Sequence, residues 1–181
     1  YCGPTQTAKK PDLDAEGLRR GFEIRISPSP YTFQRRDTRS MGRSTPNGSR
    51  TAALQTALAR RILVLDGAMA TMIQAHGLAE EDFRGEEYRD QSDALFGAND
   101  LLCVTQPHLI HEIHHAYLEA GSDIIETNTF NAQAISLSDY GLEGEAYRLN
   151  VAGASLARRA ADEMTAQTPD KPRFVCGSMG P

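Results

Sequence analysis

The chain has 181 residues, 40% of them hydrophobic and 24% charged, which suits one globular domain. No apolar run approaches the roughly 18 residues of a membrane span, so no membrane partner is expected. The net charge of −5 divides unevenly: residues 1–55 carry 10 basic and 5 acidic side chains, residues 56–181 carry 9 and 19. So acidic a body argues against nucleic acid as a partner. The three cysteines, Cys2, Cys103 and Cys176, are odd in number and widely spaced. They suggest a reducing, cytoplasmic setting rather than a disulfide framework, and none has the C-x-x-C spacing of a zinc site.

Residues 1–50 read as a disordered basic tail, rich in Ser, Pro, Arg, Gly and Asn with no lasting period. Met41 is a candidate natural start, which would leave residues 1–40 outside the native chain. From Thr51, a potential helix cap, a short helix runs to about Ala59. Residues 62–65 (ILVL) form a continuous apolar run, expected for a strand buried on both faces. Residues 68–75 read as a helical turn or two, and the polar stretch 80–99 as a long loop. Residues 106–120 form a helix, with Pro107 in its first turn and Gly121 at its end. A second strand follows at 123–127. A helix over 143–165 has Leu149, Ala152, Leu156 and Ala160 at helical spacing. A third strand at 174–176 enters the turn GSMGP. Strand–helix alternation implies a parallel sheet with right-handed crossovers, either a (β/α)8 barrel or a doubly wound sheet. The absence of G-x-G-x-x-G after the first strand weakens a dinucleotide-binding reading.

His111, Glu112 and His115 match H-E-x-x-H, the zinc-protease pattern. The spacing also suits an ordinary helix. Ile110, Ile113, Tyr117 and Ala120 then form the apolar stripe, while His108, His111, His115 and Leu118 share a largely solvated face. No third ligand is identifiable, so the protease reading is set aside.

Two strings carry more chemistry: RILVLDGAMATMIQ at residues 61–74 and AGSDIIETNTFNA at residues 120–132. Each ends a β-rich run in polar and small residues, where α/β enzymes keep their sites. Asp66 is able to bind an ammonium group or to cap the next helix. Gly67 lets a ligand approach the backbone. Asn128 and Asn131 offer hydrogen bonds and Phe130 a pocket wall, although Asn and Thr also serve plain turns. Backbone N–H groups of the 177–181 turn, around Ser178, suit a carboxylate.

These strings, with DFRG at 82–85 and GANDLL at 97–102, closely resemble the homocysteine-binding module of the cobalamin-dependent methionine synthase family over residues 52–181. The helix segment with Ile113, His114, Ala116, Tyr117, Ala120 and Gly121 also matches it. The resemblance implies the N-terminal part, about three βα units, of a (β/α)8 TIM-type barrel spanning residues 51–181. It implies that Asp66 and Gly67 meet the amino-acid end of homocysteine, and that Asn128, Thr129, Phe130 and Ser178 lie beside the substrate. Zinc would be held by three cysteines on later strands, beyond Pro181. The substrate thiolate would attack the methyl group of methylcobalamin carried by another module, and methyltetrahydrofolate on a further module would remethylate the cobalamin. Those folate- and cobalamin-binding modules would be downstream partners in the same chain, and residues 1–181 alone would be inactive. Asn99 and Asp100 organise their loop in this reading. Ala70 replaces the family's usual glycine, which costs roughly 1 kcal/mol if the position needs positive φ. Two alternatives stay open: a stand-alone homocysteine methyltransferase using S-methylmethionine or betaine, and a non-catalytic truncated fragment.

Overall fold

The computed structural model describes residues 47–180, all within one unit, Ser44–Pro181. The expected disordered stretch over residues 1–46, Met41 and Pro181 lie outside the described residues. Helix α1 is Asn47–Arg60, so residues 47–50 are helical and Thr51 lies inside the helix rather than capping it. Asn, Gly and Ser are well tolerated at helix N-termini, which lets the helix start earlier than the Ala/Leu-rich segment alone implies.

The apolar run 62–65 departs from expectation. It makes one parallel bridge, Leu65 to Ile124, rather than a full strand. Val64 accepts N–H bonds from Asp123 and Ile124 (2.8 and 3.1 Å), and Asp66 N–H donates to Ile124 O (2.9 Å). Ile62, Val64 and Leu65 are 89%, 54% and 49% exposed, so the run is not buried on both faces. The pairing stops for a local reason. Val64 N–H is taken by the Asp123 carboxylate (3.0 Å), and the Arg61 guanidinium binds that carboxylate through two 2.7 Å bonds. A side chain thus occupies the place where a ladder would continue.

Helix α2 (Met69–Ala75) follows, burying Ile73 with Met69 and Met72 packed beside it. Ala70 is helical, so no positive φ is required there and the conditional strain does not arise. The stretch read as a long loop is largely ordered. It holds α3 (Glu80–Arg84) and buries Phe83, Tyr88, Leu95 and Ala98; a 3-10 turn (Asn99–Leu101) starts at its end and α4 (Leu102–Thr105) follows. Glu80 fastens it, accepting the N–H groups of Leu95 and Phe96 (2.8 and 2.7 Å) and pairing with Arg84.

Helix α5 (Pro107–Glu119) starts on Pro107, and Gly121 beyond it takes φ +115°. Of the face expected to be solvated, His108 is exposed, while His111 and His115 are half-buried and Leu118 is buried; His111 Nε2 lies 2.9 Å from Glu163 Oε2. His114, outside that face, is fully buried. Neither ring nitrogen of His114 has a hydrogen-bond partner among the described residues, and burial, helped by His111, pushes its pKa down to about 4. Strand β1 (Ile124–Glu126) pairs in parallel with β2 (Phe174–Cys176), Glu126 opposite Cys176. Between them lie α6 (Ala134–Leu137), which the sequence reading passed over, two 3-10 turns, and α7 (Ala146–Gln167). Ile125 packs on Leu118 and on the Ala157, Ala160, Ala161 and Met164 stripe of α7. The fold is thus mixed, mainly helical, with a small parallel sheet. No described helix is long and apolar enough to cross a membrane.

Candidate functional site

A pocket of about 350 Å³ opens at the carboxyl ends of β1, β2 and the bridged segment at Leu65. Asp66, Gly67, Met69, Glu126, Phe130 and Ser178 are among its lining residues, with Thr127, Asn128 and Thr129 behind the β1 end. The six residues that the resemblance assigns to the substrate, Asp66, Gly67, Asn128, Thr129, Phe130 and Ser178, therefore fall on one cavity, whereas Asn131, also offered for hydrogen bonding, is not among its lining residues. A larger groove of about 600 Å³ lies between α1, α7 and β2, away from these strand ends.

Asp66 does not cap α2, whose N-cap is Ala68 and has no side-chain cap bond. Both Asp66 oxygens instead accept the Glu126 N–H (3.1 and 3.0 Å), tying the bridged segment to the end of β1. Each oxygen keeps a lone pair for a ligand. Burial pushes the Asp66 pKa up to about 6, opposed by the Glu126 N–H and aided by the Glu126 charge. Glu126 is exposed and completes an acidic pair at the pocket; its place in the 120–132 string, next to the expected site residues, is the sequence signal for it. Gly67 has no left-handed φ. A Cβ there would rest 3.4 Å from Tyr117 Oη, which also donates to Ala68 O (3.3 Å) and braces the turn from α5.

The wall over residues 127–131 is held from two sides. On one side three bonds close a ring. Ser178 N–H donates to Thr127 Oγ1 (2.9 Å), the two threonine hydroxyls are 2.6 Å apart, and Thr129 Oγ1 donates to Ser178 O (2.8 Å). Thr129 has only one proton, so Thr127 must be the donor within the pair. Gly180 N–H donates to Phe130 O (2.8 Å), and a Cβ at Gly180 would lie 2.4 Å from that oxygen. The N–H groups of Ser178 and Gly180 are thus already engaged.

On the other side, Asn128 Nδ2 donates to Asn99 O (2.8 Å), and the Cys103 thiol donates to Asn128 O (3.3 Å). The amide nitrogen of Asn128 is turned into the protein. Phe130, 54% exposed, presents its ring at the pocket. Cys103 is buried and its pKa is pushed up to about 12 by burial, so it is an inert thiol. Cys176 is exposed at the end of β2. Among the described residues no three His, Cys, Asp or Glu side chains converge as a metal site, the H-E-x-x-H segment included.

A family model described as homocysteine S-methyltransferase matches residues 63–181. Two solved structures of the homocysteine methyltransferase MmuM from Escherichia coli are similar to this chain. The oxidized form is 30% identical with a TM-score of 0.56, covering 71% of this chain and 40% of that one. The metallated form is 28% identical with a TM-score of 0.55, covering 71% and 41%. The chain thus spans about two fifths of the length of these relatives.

Proposed function

This chain belongs to the homocysteine S-methyltransferase family, and we propose that its pocket binds the amino-acid end of homocysteine as part of a methionine synthase. The observation that carries the reading is the presence of Asp66 and Glu126 together at a cavity that Phe130 also lines. Two carboxylates suit the ligand's ammonium group by charge-assisted hydrogen bonds, and the aromatic wall suits its methylenes. The Thr127–Thr129–Ser178 ring keeps that cavity preorganised, which reduces the ordering cost of binding.

Methyl transfer in this reading forms a bond from the homocysteine sulfur to the methyl carbon as the donor–methyl bond breaks, with the thiol proton lost beforehand. The residues described here do not fit the zinc that activates the thiol in this family: Cys103 is bonded to Asn128, and Cys176 stands without further ligands. The chain's own contribution is binding and orientation. The (β/α)8 barrel, the cobalamin donor and the folate- and cobalamin-binding partners belong to the proposal. A stand-alone enzyme with another methyl donor is the second reading, favoured by the likeness to MmuM.

The test is calorimetric titration of the 181-residue chain with L-homocysteine and with its analogue lacking the amino group. Homocysteine binds, and the analogue binds at least roughly tenfold more weakly, since a hydrogen bond to a charged group is worth about 1.5–3 kcal/mol. Asp66→Asn loses a similar factor. Asp66 attracts the ammonium only when ionised, so its contribution is lost and affinity falls roughly tenfold from pH 7 to pH 5, through a pKa of about 6. Equal binding of both ligands would sink the proposal.

A further inference from the structure

Asp100 lies outside the pocket lining, yet its carboxylate is only 4% exposed. Burying a carboxylate is expensive unless it is paired or bonded. Its bond to the rest of the chain runs from Asn131 N–H to Oδ1 (3.0 Å), at the end of the pocket wall. Neighbours of Asp100 grip the same wall: Asn99 O takes Asn128 Nδ2, and the Cys103 thiol reaches Asn128 O. The 3-10 turn Asn99–Leu101 and the start of α4 thus hold residues 128 and 131, the two ends of a four-residue span containing Thr129 and Phe130.

We infer that Asp100 is a positioning residue for the ligand pocket: through Asn131 N–H it sets where Asn128–Phe130 stand relative to Asp66 and Glu126. The inference rests on the homocysteine reading above and extends it to a residue that never touches the ligand. Burial holds the Asp100 pKa above the ordinary carboxylate range, in keeping with a group kept for one bond rather than for solvent contact. An acceptor oxygen of the right length is the requirement, so asparagine substitutes and alanine does not.

The experiment uses the whole chain, with amide exchange read by NMR and homocysteine affinity read by calorimetry. Asp100→Ala speeds exchange at Asn131 selectively, leaves amides of α5 and β1 protected, and weakens homocysteine roughly tenfold through the displaced wall. Asp100→Asn restores Asn131 protection and affinity to within about threefold of wild type. Unchanged Asn131 exchange and unchanged affinity in Asp100→Ala overturn the inference. Should the alanine variant not fold, Asp100→Asn decides: retained protection and affinity support the inference. A roughly tenfold affinity loss with Asn131 still protected overturns it, because the charge itself would then act on the ligand. If wild type binds no homocysteine while Asp100→Ala still frees Asn131, the ligand reading has failed and the contact to the wall stands.

Discussion

Gly153 sits in the middle of α7, where alanine ordinarily stabilises a helix by about 1 kcal/mol. A Cβ there would lie 2.6 Å from Thr129 Cγ2, 3.4 Å from Cys103 Sγ and 3.5 Å from Asn128 O. The first distance is untenable, and Thr129 has little freedom to yield. Its methyl and hydroxyl share one carbon, and the hydroxyl is locked between Thr127 and Ser178. Overpacking of this kind costs roughly 1–3 kcal/mol, so Gly153→Ala is expected to lower stability by up to about 2 kcal/mol despite the helix gain. Thr129→Ser removes the offending methyl and keeps the hydroxyl ring, at a cost of about 1 kcal/mol for one lost buried methyl. In that background Gly153→Ala becomes neutral or stabilising. The assay is urea unfolding followed by far-UV circular dichroism on the four proteins of the cycle. A coupling of about 1–3 kcal/mol is expected, and additivity within about 0.5 kcal/mol would refute the claim that α7 needs glycine to approach the pocket wall.

Two further outcomes concern the opposite end of the sheet and the thiols. Asp123, 1% exposed, is bound by Arg61 and Lys171, and the Arg61 bonds hold its pKa down to about 2. A depressed folded pKa stabilises above the unfolded value near 4, and that stability is lost as pH falls from about 4 to 2, some 2 kcal/mol in all. Asp123→Asn should therefore be less stable at pH 7 and show a shallower loss across that acid window; an unchanged acid slope in urea unfolding would contradict the assignment. In a Cys2→Ser background, exposed Cys176 should react promptly with a disulfide reagent under native conditions, whereas buried Cys103 should react only on unfolding. Two thiols titrating at one rate would show that the α4–loop contact opens.

The sequence was most legible where apolar runs are bounded by turn residues. The β2 limits 174–176 agree with expectation, and α5 begins on the proline that suits a first turn. It was least legible over residues 80–99. Phe83, Tyr88 and Leu95 share no helical or strand period, and the segment's order comes from Glu80 reaching the amides of Leu95 and Phe96, a contact fifteen and sixteen residues away. The run 62–65 misled for the converse reason. Its composition is that of a buried strand, but pairing ends where the Asp123 carboxylate takes the Val64 amide, and a side-chain clamp leaves no trace in periodicity.

The same division runs through the pocket. The family resemblance grouped Asp66, Gly67, Asn128, Thr129, Phe130 and Ser178 at one site, and all six line one cavity at the parallel strand ends. Residue type could not reveal which groups were already spent. Asn128 Nδ2, both threonine hydroxyls and the Ser178 amide bond within the protein. The Asp66 and Glu126 carboxylates and the Phe130 ring remain to meet a ligand. Asn and Thr in this loop thus serve rigidity, while in the proposed reading the acids and the aromatic ring supply recognition. On that partition, substitutions at Asn128 or Thr129 should lower affinity together with the order of the wall. A substitution at Asp66 should lower affinity while the wall stays as ordered as before, and amide exchange over residues 127–131 separates the two cases.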